Sequence, residues 1–397
     1  MNKQLENIKI ARISTIPFFV FTQLREQLET LVRAGSMVSI VASDDEMKDS
    51  MSAIQGCEFC SITIARKISF VSDVLSIFKL WKLFRERQYH IIHSTTPKAG
   101  LLCAIAAKLS KQSICIHTFT GQAWVTMTGI KRMLVKNSDR LIALLNPYSY
   151  TDSVSQREFL IQNKIIPAEK IKVIGSGSLA GVDTRRFNLN NFSEAERLKT
   201  KTSLGLDLHA RIIIFIGRMN KEKGIIELFD AMKQLVQKEK ETYLLMVGPF
   251  DEGIEQEVRS YAQQHLGSKV IFTGFHPQPE QFMAISTVLC LPSYREGFGT
   301  VVIEAGAMEL PVIGTDIYGL KDAVIDGETG ILVPPRDALR LSQALEYLLS
   351  NEDVRKRMGI KAKERAQREF DSHYFNQLLI DEYRYLLDEK AKNTIGQ

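Results

Sequence analysis

The chain has 397 residues, of which 45% are hydrophobic and 24% charged. This is the usage of an ordinary globular protein, so it excludes disordered, collagen-like and disulfide-scaffold classes, and the length predicts two domains. No apolar run approaches the length of a transmembrane helix, and the mixed-charge start at 1–6 lacks the apolar core of a signal peptide, so we expect a cytoplasmic protein.

The charge is divided unevenly along the chain. Residues 1–190 carry 25 Lys and Arg against 15 Asp and Glu, a net charge of +10, whereas 191–397 carry 26 against 31, a net charge of −5. A basic first half predicts an anionic partner: nucleic acid, an anionic membrane or a diphosphate-linked acceptor. No RNA- or DNA-binding motif accompanies the charge, which argues against nucleic acid.

The five cysteines give no metal site. Cys57 and Cys60 form a lone C-x2-C pair, and no second pair or nearby histidine completes a zinc site, so we interpret them as reduced thiols. Cys103, Cys115 and Cys290 lie in apolar runs and are predicted to be core residues.

The first part of the chain alternates strands and helices. A strand at 8–15, a helix at 22–34 and a strand at 37–42 indicate a parallel sheet. A long amphipathic helix is predicted at 68–88, with Lys79 and Lys82 beside its apolar stripe. It either packs on the sheet or lies on an anionic membrane, and the basic-apolar segment 131–136 adds to the second interpretation.

Polar turns follow the next strands. The strand at 90–94 leads into Thr95-Thr96-Pro97-Lys98, and the strand at 113–119 leads into Thr120. Strand alternation directs His117 to the face opposite Thr118 and Thr120, so we expect a core or supporting histidine. A strand at 140–145, a helix at 152–163 and a strand at 171–175 follow. The glycine-rich segment 175–183 opens the domain boundary, which we place before about Ser203.

The second part begins with a buried parallel strand at 211–216. Gly217-Arg218 and Glu222-Lys223-Gly224 follow it; Arg218 offers a planar fork for a phosphate and Lys223 a point charge. Further strands are predicted at 243–247, 270–273, 311–314 and 331–333, and successive helices at 339–390.

The most informative stretch is a strand at 287–291, a glycine turn, and a helix that begins near Gly299. Glu296 lies in the turn and Glu304 one helical turn into the helix. Backbone N–H groups and the helix dipole at such a junction suit a phosphate or a sugar oxygen, and each carboxylate accepts from hydroxyls. The alternative is that both glutamates are ordinary solvated side chains.

These motifs resemble a known family. Arg295-Glu296-Gly297-Phe298-Gly299 followed by Glu304 resembles the Glu-x7-Glu signature of the retaining glycosyltransferases of family 4, which have the α/β GT-B fold of two Rossmann-like domains. The resemblance implies an acceptor domain at 1–190, a nucleotide-sugar domain at 204–371, and a last helix at 372–397 that returns to the first domain. Segment 90–190 resembles a bacterial, N-acetylgalactosaminyltransferase-like branch that builds lipid-linked saccharides.

The resemblance also implies roles for single residues. Arg218 and Lys223 would neutralise a leaving diphosphate without a metal, Glu296 would orient the sugar, and Glu304 would hold the ribose. Gly217, Phe275 and the backbone of Phe298, Gly299 and Thr300 would complete the donor site. The acceptor side would hold Thr120, where many members carry histidine, together with Lys98 and His117.

The expected function is transfer of an N-acetylhexosamine or hexose from a UDP-sugar to a polyprenyl-diphosphate-linked saccharide, with no cofactor, at the inner face of the plasma membrane. Two alternatives remain: a sugar-nucleotide epimerase or hydrolase on the same fold, or a non-catalytic nucleotide-sugar-binding adaptor at the membrane. The complete set of Arg218, Lys223, Glu296 and Glu304 argues against the adaptor.

Overall fold

The computed structural model describes residues 4–44, 54–65, 69–112 and 114–395. The chain divides into two units, one formed by Met1–Gly181 with Ser372–Gln397 and the other by Val182–Asp371. Val182 and Phe187 pack into the core of the second unit. Residues 182–190, which the sequence assigned to the first domain, therefore belong to the second.

The first unit is built on a sheet of seven parallel strands in the order β3-β2-β1-β4-β5-β6-β7. Its central strands are buried along their whole length because helices cover both faces. The strands are β1 (Lys9–Ile13), β2 (Met37–Ala42), β3 (Cys57–Ser61), β4 (Ile91–Thr95), β5 (Cys115–Phe119), β6 (Tyr148–Thr151) and β7 (Ile171–Val173).

The helices of this unit connect successive strands. Pro17 begins the first helix, and a π-helical turn at Val20–Leu24 joins the first two helices. The helices are α1 (Pro17–Phe19), α2 (Arg25–Arg33), α3 (Phe70–Arg87), α4 (Pro97–Leu109), α5 (Gly129–Leu145) and α6 (Val154–Gln162), with short 3-10 turns at Ala123–Val125 and Ala168–Lys170.

One prediction for this unit is wrong, and one strand was not predicted. Residues 140–145 are not a strand but the last turns of α5, and the strand that pairs with β5 is Tyr148–Thr151. The edge strand Cys57–Ser61 was not predicted; its two cysteines are half-buried and free. The residues expected to begin the long amphipathic helix lie partly outside the described residues, which resume at 69.

The second unit has six parallel strands in the order β10-β9-β8-β11-β12-β13. Its strands are β8 (Arg211–Ile216), β9 (Thr242–Val247), β10 (Val270–Gly274), β11 (Val288–Leu291), β12 (Val312–Thr315) and β13 (Gly330–Val333). Its helices are α7 (Glu194–Ser203), α8 (Ile225–Lys238), α9 (Glu255–Leu266), α10 (Glu280–Met283), α11 (Thr300–Ala307), α12 (Leu320–Ala323), α13 (Ala338–Ser350) and α14 (Glu352–Glu369), with 3-10 turns at Leu189–Asn191, Lys221–Lys223 and Gly267–Lys269.

The last helix, α15 (Ser372–Ile395), belongs to the first unit. Its apolar side chains, Leu379, Ile380, Tyr383 and Leu386, pack in the same core as β1 and α2. The expected return of the last helix to the first part of the chain is therefore seen. Within the described residues, no helix combines the length and the apolar character needed to cross a membrane.

Candidate active site

The strand order of the second sheet reverses between β8 and β11. These strands are neighbours, but β8 continues to β9 on one side and β11 to β12 on the other. The segments that leave their carboxyl ends therefore lie side by side, where open α/β sheets bind ligands. One is the segment 217–224, and the other is the turn 292–299.

Lys223 and Glu296 meet at this point. The Lys223 ammonium forms an ion pair with Glu296 Oε1, which also accepts a hydrogen bond from Ser293 Oγ at 2.8 Å. The two side chains are 22% and 14% exposed. The structure thus brings together two of the predicted site residues that lie far apart in the sequence.

Close backbone contacts fix the two segments against each other. Gly224 has φ +65°, and a Cβ added there would lie 2.1 Å from the Pro292 carbonyl oxygen. Asn220 caps the 3-10 turn that carries Lys223, because its side chain accepts from Glu222 N. Glycine at 224 is therefore required both by conformation and by space.

Helix α11 begins at the end of the glycine turn. Gly299, with φ +83°, precedes its first residue, Thr300, and the first N–H groups of a helix have no partner within it. The Phe298 side chain is buried against Phe370, with ring centroids 5.1 Å apart. The Phe298 side chain is thus part of the core, which leaves the predicted role in ligand binding to its backbone.

Glu304 lies on α11 beside a charge pair that the sequence did not reveal. Burial raises the pKa of Glu304 to about 7; the Arg186 guanidinium opposes this rise and Glu280 adds to it. Arg186 grips Glu280 with two hydrogen bonds of 2.9 and 2.8 Å. Since these residues are remote in sequence, no spacing pattern could have signalled them.

The remaining residues predicted for the donor side follow strands β8 and β10. Arg218 follows β8 and its Nη1 lies 3.3 Å from Asp251 Oδ1, with half of its side chain exposed. Gly217 approaches Gly248 so closely that a Cβ on Gly248 would lie 2.1 Å from the Gly217 carbonyl oxygen. Phe275, just after β10, is 44% exposed.

The residues predicted for an acceptor lie at the carboxyl edge of the first sheet or in its core. The Thr120 carbonyl accepts from Gln122 and Gln156, at 2.5 and 2.7 Å. Lys98, at the start of α4, forms an ion pair with Asp73 at 2.6 Å.

His117 does not face an open surface. It is 1% exposed, its Nδ1 lies 2.9 Å from Ser94 Oγ, and it packs against Gly100 of α4. Burial lowers its pKa to about 3, so the ring is neutral. The placement of His117 on the acceptor side is therefore wrong, whereas the expectation of a core histidine is confirmed.

No group of three histidine, cysteine, aspartate or glutamate side chains comes together as a metal site within the part of the chain that the structure describes. The positive groups of this edge are side chains of the protein itself. Arg218 is paired with Asp251 and Lys223 with Glu296, and Arg186 lies within electrostatic range of Glu304.

Comparisons with known proteins agree with this architecture. The family described as "Glycosyl transferases group 1" matches residues 196–365, and "Glycosyl transferase 4-like" matches residues 17–143. Two parallel-sheet α/β units of this kind define the GT-B class of glycosyltransferases. Solved neighbours include Anabaena HepE with UDP and glucose, with a TM-score of 0.80, 20% identity and coverage of 95% of this chain and 99% of that one.

Sequence relatives place the chain within that class. It is 30% identical over 386 residues to the capsular polysaccharide biosynthesis glycosyltransferase CapM of Staphylococcus aureus, covering 97% of this chain and 99% of the relative. It is 24% identical over 357 residues to an Escherichia coli UDP-Gal:alpha-D-GlcNAc-diphosphoundecaprenol alpha-1,3-galactosyltransferase, covering 85% and 87%. The chain therefore belongs to the same glycosyltransferase family as CapM and is a transferase enzyme.

Proposed function

We propose that this glycosyltransferase moves an N-acetylhexosamine or hexose from a UDP-sugar to a polyprenyl-diphosphate-linked saccharide, with retention of configuration, in the assembly of a surface polysaccharide. The names of the Staphylococcus aureus and Escherichia coli relatives support the process and the acceptor class. The observation that carries the proposal is the pairing of Lys223 with Glu296 between β8 and β11, where a donor diphosphate and its sugar would lie.

The proposed chemistry needs no metal. The bond between the sugar C1 and the diphosphate oxygen breaks while the acceptor oxygen bonds to C1 on the same face. The acceptor hydroxyl proton passes to the leaving phosphate oxygen. Lys223 and Arg218 neutralise the charge that develops there, and the first N–H groups of α11 add to this stabilisation.

The other donor groups bind rather than react. Glu296, released from Lys223 by the incoming phosphate, orients the sugar hydroxyls. The Glu304 carboxylate accepts from the ribose hydroxyls. Gly217 and Phe275 lie beside the nucleotide. Thr120 and Lys98 remain the residues that we propose for the acceptor side.

The surface of α3 and α5 supports docking on an anionic bilayer from the cytoplasmic side. Phe70 is 82% exposed and Ile130 is 73% exposed, and neither helix is covered there by another part of the described chain. Basic side chains lie among the apolar ones, and each contributes about 1 kcal/mol near an anionic surface. The exposed apolar residues are Phe70, Val71, Val74, Leu75 and Phe78 on α3 and Ile130, Met133, Leu134, Leu141 and Leu144 on α5.

Vesicle sedimentation tests this docking. Glutamine at Lys79, Lys82, Lys131 and Arg132 together should lower binding to phosphatidylglycerol vesicles by at least about tenfold, because most of the electrostatic attraction is lost. The matched control changes four exposed lysines of the second unit and should bind normally. Unchanged sedimentation of the first variant would contradict the membrane proposal. The control positions are Lys221, Lys238, Lys356 and Lys361.

Donor binding is tested by thermal shift with UDP, GDP, ADP and their sugars. A ligand that binds the native state alone raises the melting temperature, and we expect this for UDP. Lys223→Ala and Glu304→Ala should reduce the shift, because each weakens UDP binding without eliminating it, and should reduce sugar transfer by about 100-fold. The control is Lys221→Ala, an exposed lysine two residues away that pairs with Glu257.

Three outcomes separate the alternatives. UDP binding with transfer to a lipid-linked saccharide supports the proposal. UDP-sugar binding followed by epimerisation or hydrolysis, with no need for an acceptor, favours an epimerase or hydrolase. UDP-sugar binding without any turnover favours the adaptor.

A further inference from the structure

The two segments that carry Lys223 and Glu296 are also joined by backbone and side-chain contacts that have no part in the proposed chemistry. Tyr294 N donates to the Glu222 carbonyl at 2.8 Å, and the Arg295 guanidinium pairs with the Glu222 carboxylate. The Tyr294 hydroxyl donates to Glu227 Oε1. Each residue of this cluster is adjacent, or nearly so, to one of the two site residues.

The Tyr294–Glu227 bond ties the turn after β11 to the first turn of α8. Glu227 lies four residues after Lys223, on the helix that begins just after Gly224. Its second oxygen, Oε2, is buried and has no hydrogen-bond partner among the described residues. The Tyr294 hydroxyl thus donates the hydrogen bond that the Glu227 carboxylate accepts. A buried carboxylate without such a partner would be costly.

The environment keeps Tyr294 a donor. Burial, followed by the hydrogen bond to Glu227, raises the pKa of its phenol well above the ordinary value, so the hydroxyl stays protonated at neutral pH. The Arg336 guanidinium lies over the ring, 4.7 Å from its centroid, and restricts the ring from that side.

We propose that Tyr294 and Glu227 are positioning residues for the donor diphosphate: their hydrogen bond holds Lys223 at the separation from the turn of Glu296 that the diphosphate requires. The proposal rests on the proposed function. Lys223 must leave Glu296 when phosphate enters, so its ion pair cannot by itself hold the two segments together in the loaded enzyme. The Tyr294–Glu227 bond lies outside the phosphate site and persists.

Calorimetric titration with UDP tests the proposal through a double-mutant cycle. Tyr294→Phe removes only the hydroxyl and should weaken UDP binding about fivefold to tenfold in the Lys223-containing protein. In a Lys223→Ala background the same change should have little further effect, because the tyrosine acts through the lysine.

Tyr261→Phe is the matched control. The Tyr261 hydroxyl donates to Asp230 Oδ1 at 2.6 Å and so makes the same type of bond to the same helix, α8, from α9. Its loss should leave the affinity for UDP within about twofold of the wild-type value, since this bond restrains neither segment of the site.

Tyr294→Phe combined with Glu227→Leu separates positioning from stability. Removing both partners relieves the unpaired buried carboxylate, so the melting temperature should recover while UDP binding stays weak. Recovery of both together, or equal effects of Tyr294→Phe with and without Lys223, would overturn the positioning role while leaving the donor site intact. A wild-type protein that fails to bind UDP overturns the proposed function and this proposal with it.

Discussion

The carboxyl edges of the two sheets are built from different chemistry. In the second unit, charged side chains pair across neighbouring segments, as Lys223 does with Glu296 and Arg295 with Glu222. In the first unit, strands β4 and β5 carry hydroxyl and imidazole groups, such as His93 and Thr118, whose side chains lie 2.7 Å apart. These two side chains are 3% and 6% exposed, so the first sheet buries neutral polar groups where the second presents paired charges at a partly open edge.

The difference also determines what each edge tolerates. Paired charges at a partly open edge can exchange partners with an incoming phosphate at modest cost. Buried neutral hydrogen bonds have no such alternative, because losing one partner leaves a desolvated polar group. We therefore expect substitutions in the second unit to affect donor binding. Substitutions in the first unit should lower stability and leave donor binding unchanged.

Gly224→Ala should break the second edge with the largest effect. The added Cβ would lie 2.1 Å from the Pro292 oxygen in a left-handed backbone, so we expect a loss of about 3 kcal/mol or more and no detectable UDP binding. Gly253→Ala has the same kind of φ, +82°, with no atom within 4 Å of the new Cβ, and should retain UDP binding. Scanning calorimetry and UDP titration measure both. Equal behaviour of the two variants would contradict the prediction.

Tyr383→Phe should weaken the first unit alone. The Tyr383 hydroxyl lies 3.3 Å from Arg12 Nη1 and 2.6 Å from His93 Nδ1, and Arg12 is 2% exposed. Its loss should cost about 1–3 kcal/mol and leave UDP affinity unchanged. Both tryptophans, Trp81 and Trp124, belong to the first unit, so their fluorescence follows its unfolding. A change in UDP affinity would show that the two edges are not independent.

Asp139→Asn tests the first unit through the pH dependence of its stability. Asp139 accepts from Trp124 Nε1 at 2.7 Å, and burial raises its pKa from 3.8 to about 7. The folded form thus holds a proton that the unfolded form releases, so stability falls as the pH rises from about 4 to 7. The Asp139→Asn variant should not show this loss of stability with rising pH. At pH 8 its free energy of unfolding should exceed that of the wild type by on the order of 1–2 kcal/mol. Denaturation followed by tryptophan fluorescence measures this difference; parallel pH profiles of the two proteins would contradict the prediction.

The smallest expected effect concerns Glu304 and the pH dependence of donor binding. Its pKa of about 7 means that the ionised, hydroxyl-accepting form increases from pH 6 to 8. UDP affinity should rise about tenfold over that range relative to Glu304→Gln, whose side chain does not titrate. Both proteins are titrated in the same buffers, so the ionisation of UDP itself cancels from the ratio of their affinities. A constant ratio would remove Glu304 from the ribose site.

The carboxyl edge of the second sheet was largely predictable from the sequence, for a physical reason. Its groups stand on glycine turns that directly follow buried apolar strands, and both features have local signatures. The strands at 211–216 and 287–291 and the helix near Gly299 were found to within a residue or two. The pairing of Tyr294 with Glu227 and of Arg186 with Glu280 depends on packing between remote segments and left no such signature.

The first unit was predicted less well because its signals are weaker. The apolar run at 140–145 fits a short buried strand as well as a helix, and its helical register is visible only in the burial of Ile142 and Ala143 beside the exposed Leu144. The true strand, Tyr148–Thr151, is mostly polar in composition and yet almost wholly buried. His117 was assigned correctly to the core by alternation and wrongly to the acceptor side by resemblance.

The membership of α15 in the first unit has a consequence for synthesis. The ribosome delivers 182–371 as an uninterrupted segment, so the second unit can fold as soon as that segment has emerged. The first unit, although its strands are made earlier, must wait for Leu379, Ile380 and Tyr383 to close its core. During that interval its apolar surface stays open to chaperones and to other nascent chains, and the half of the enzyme made first is the last to mature.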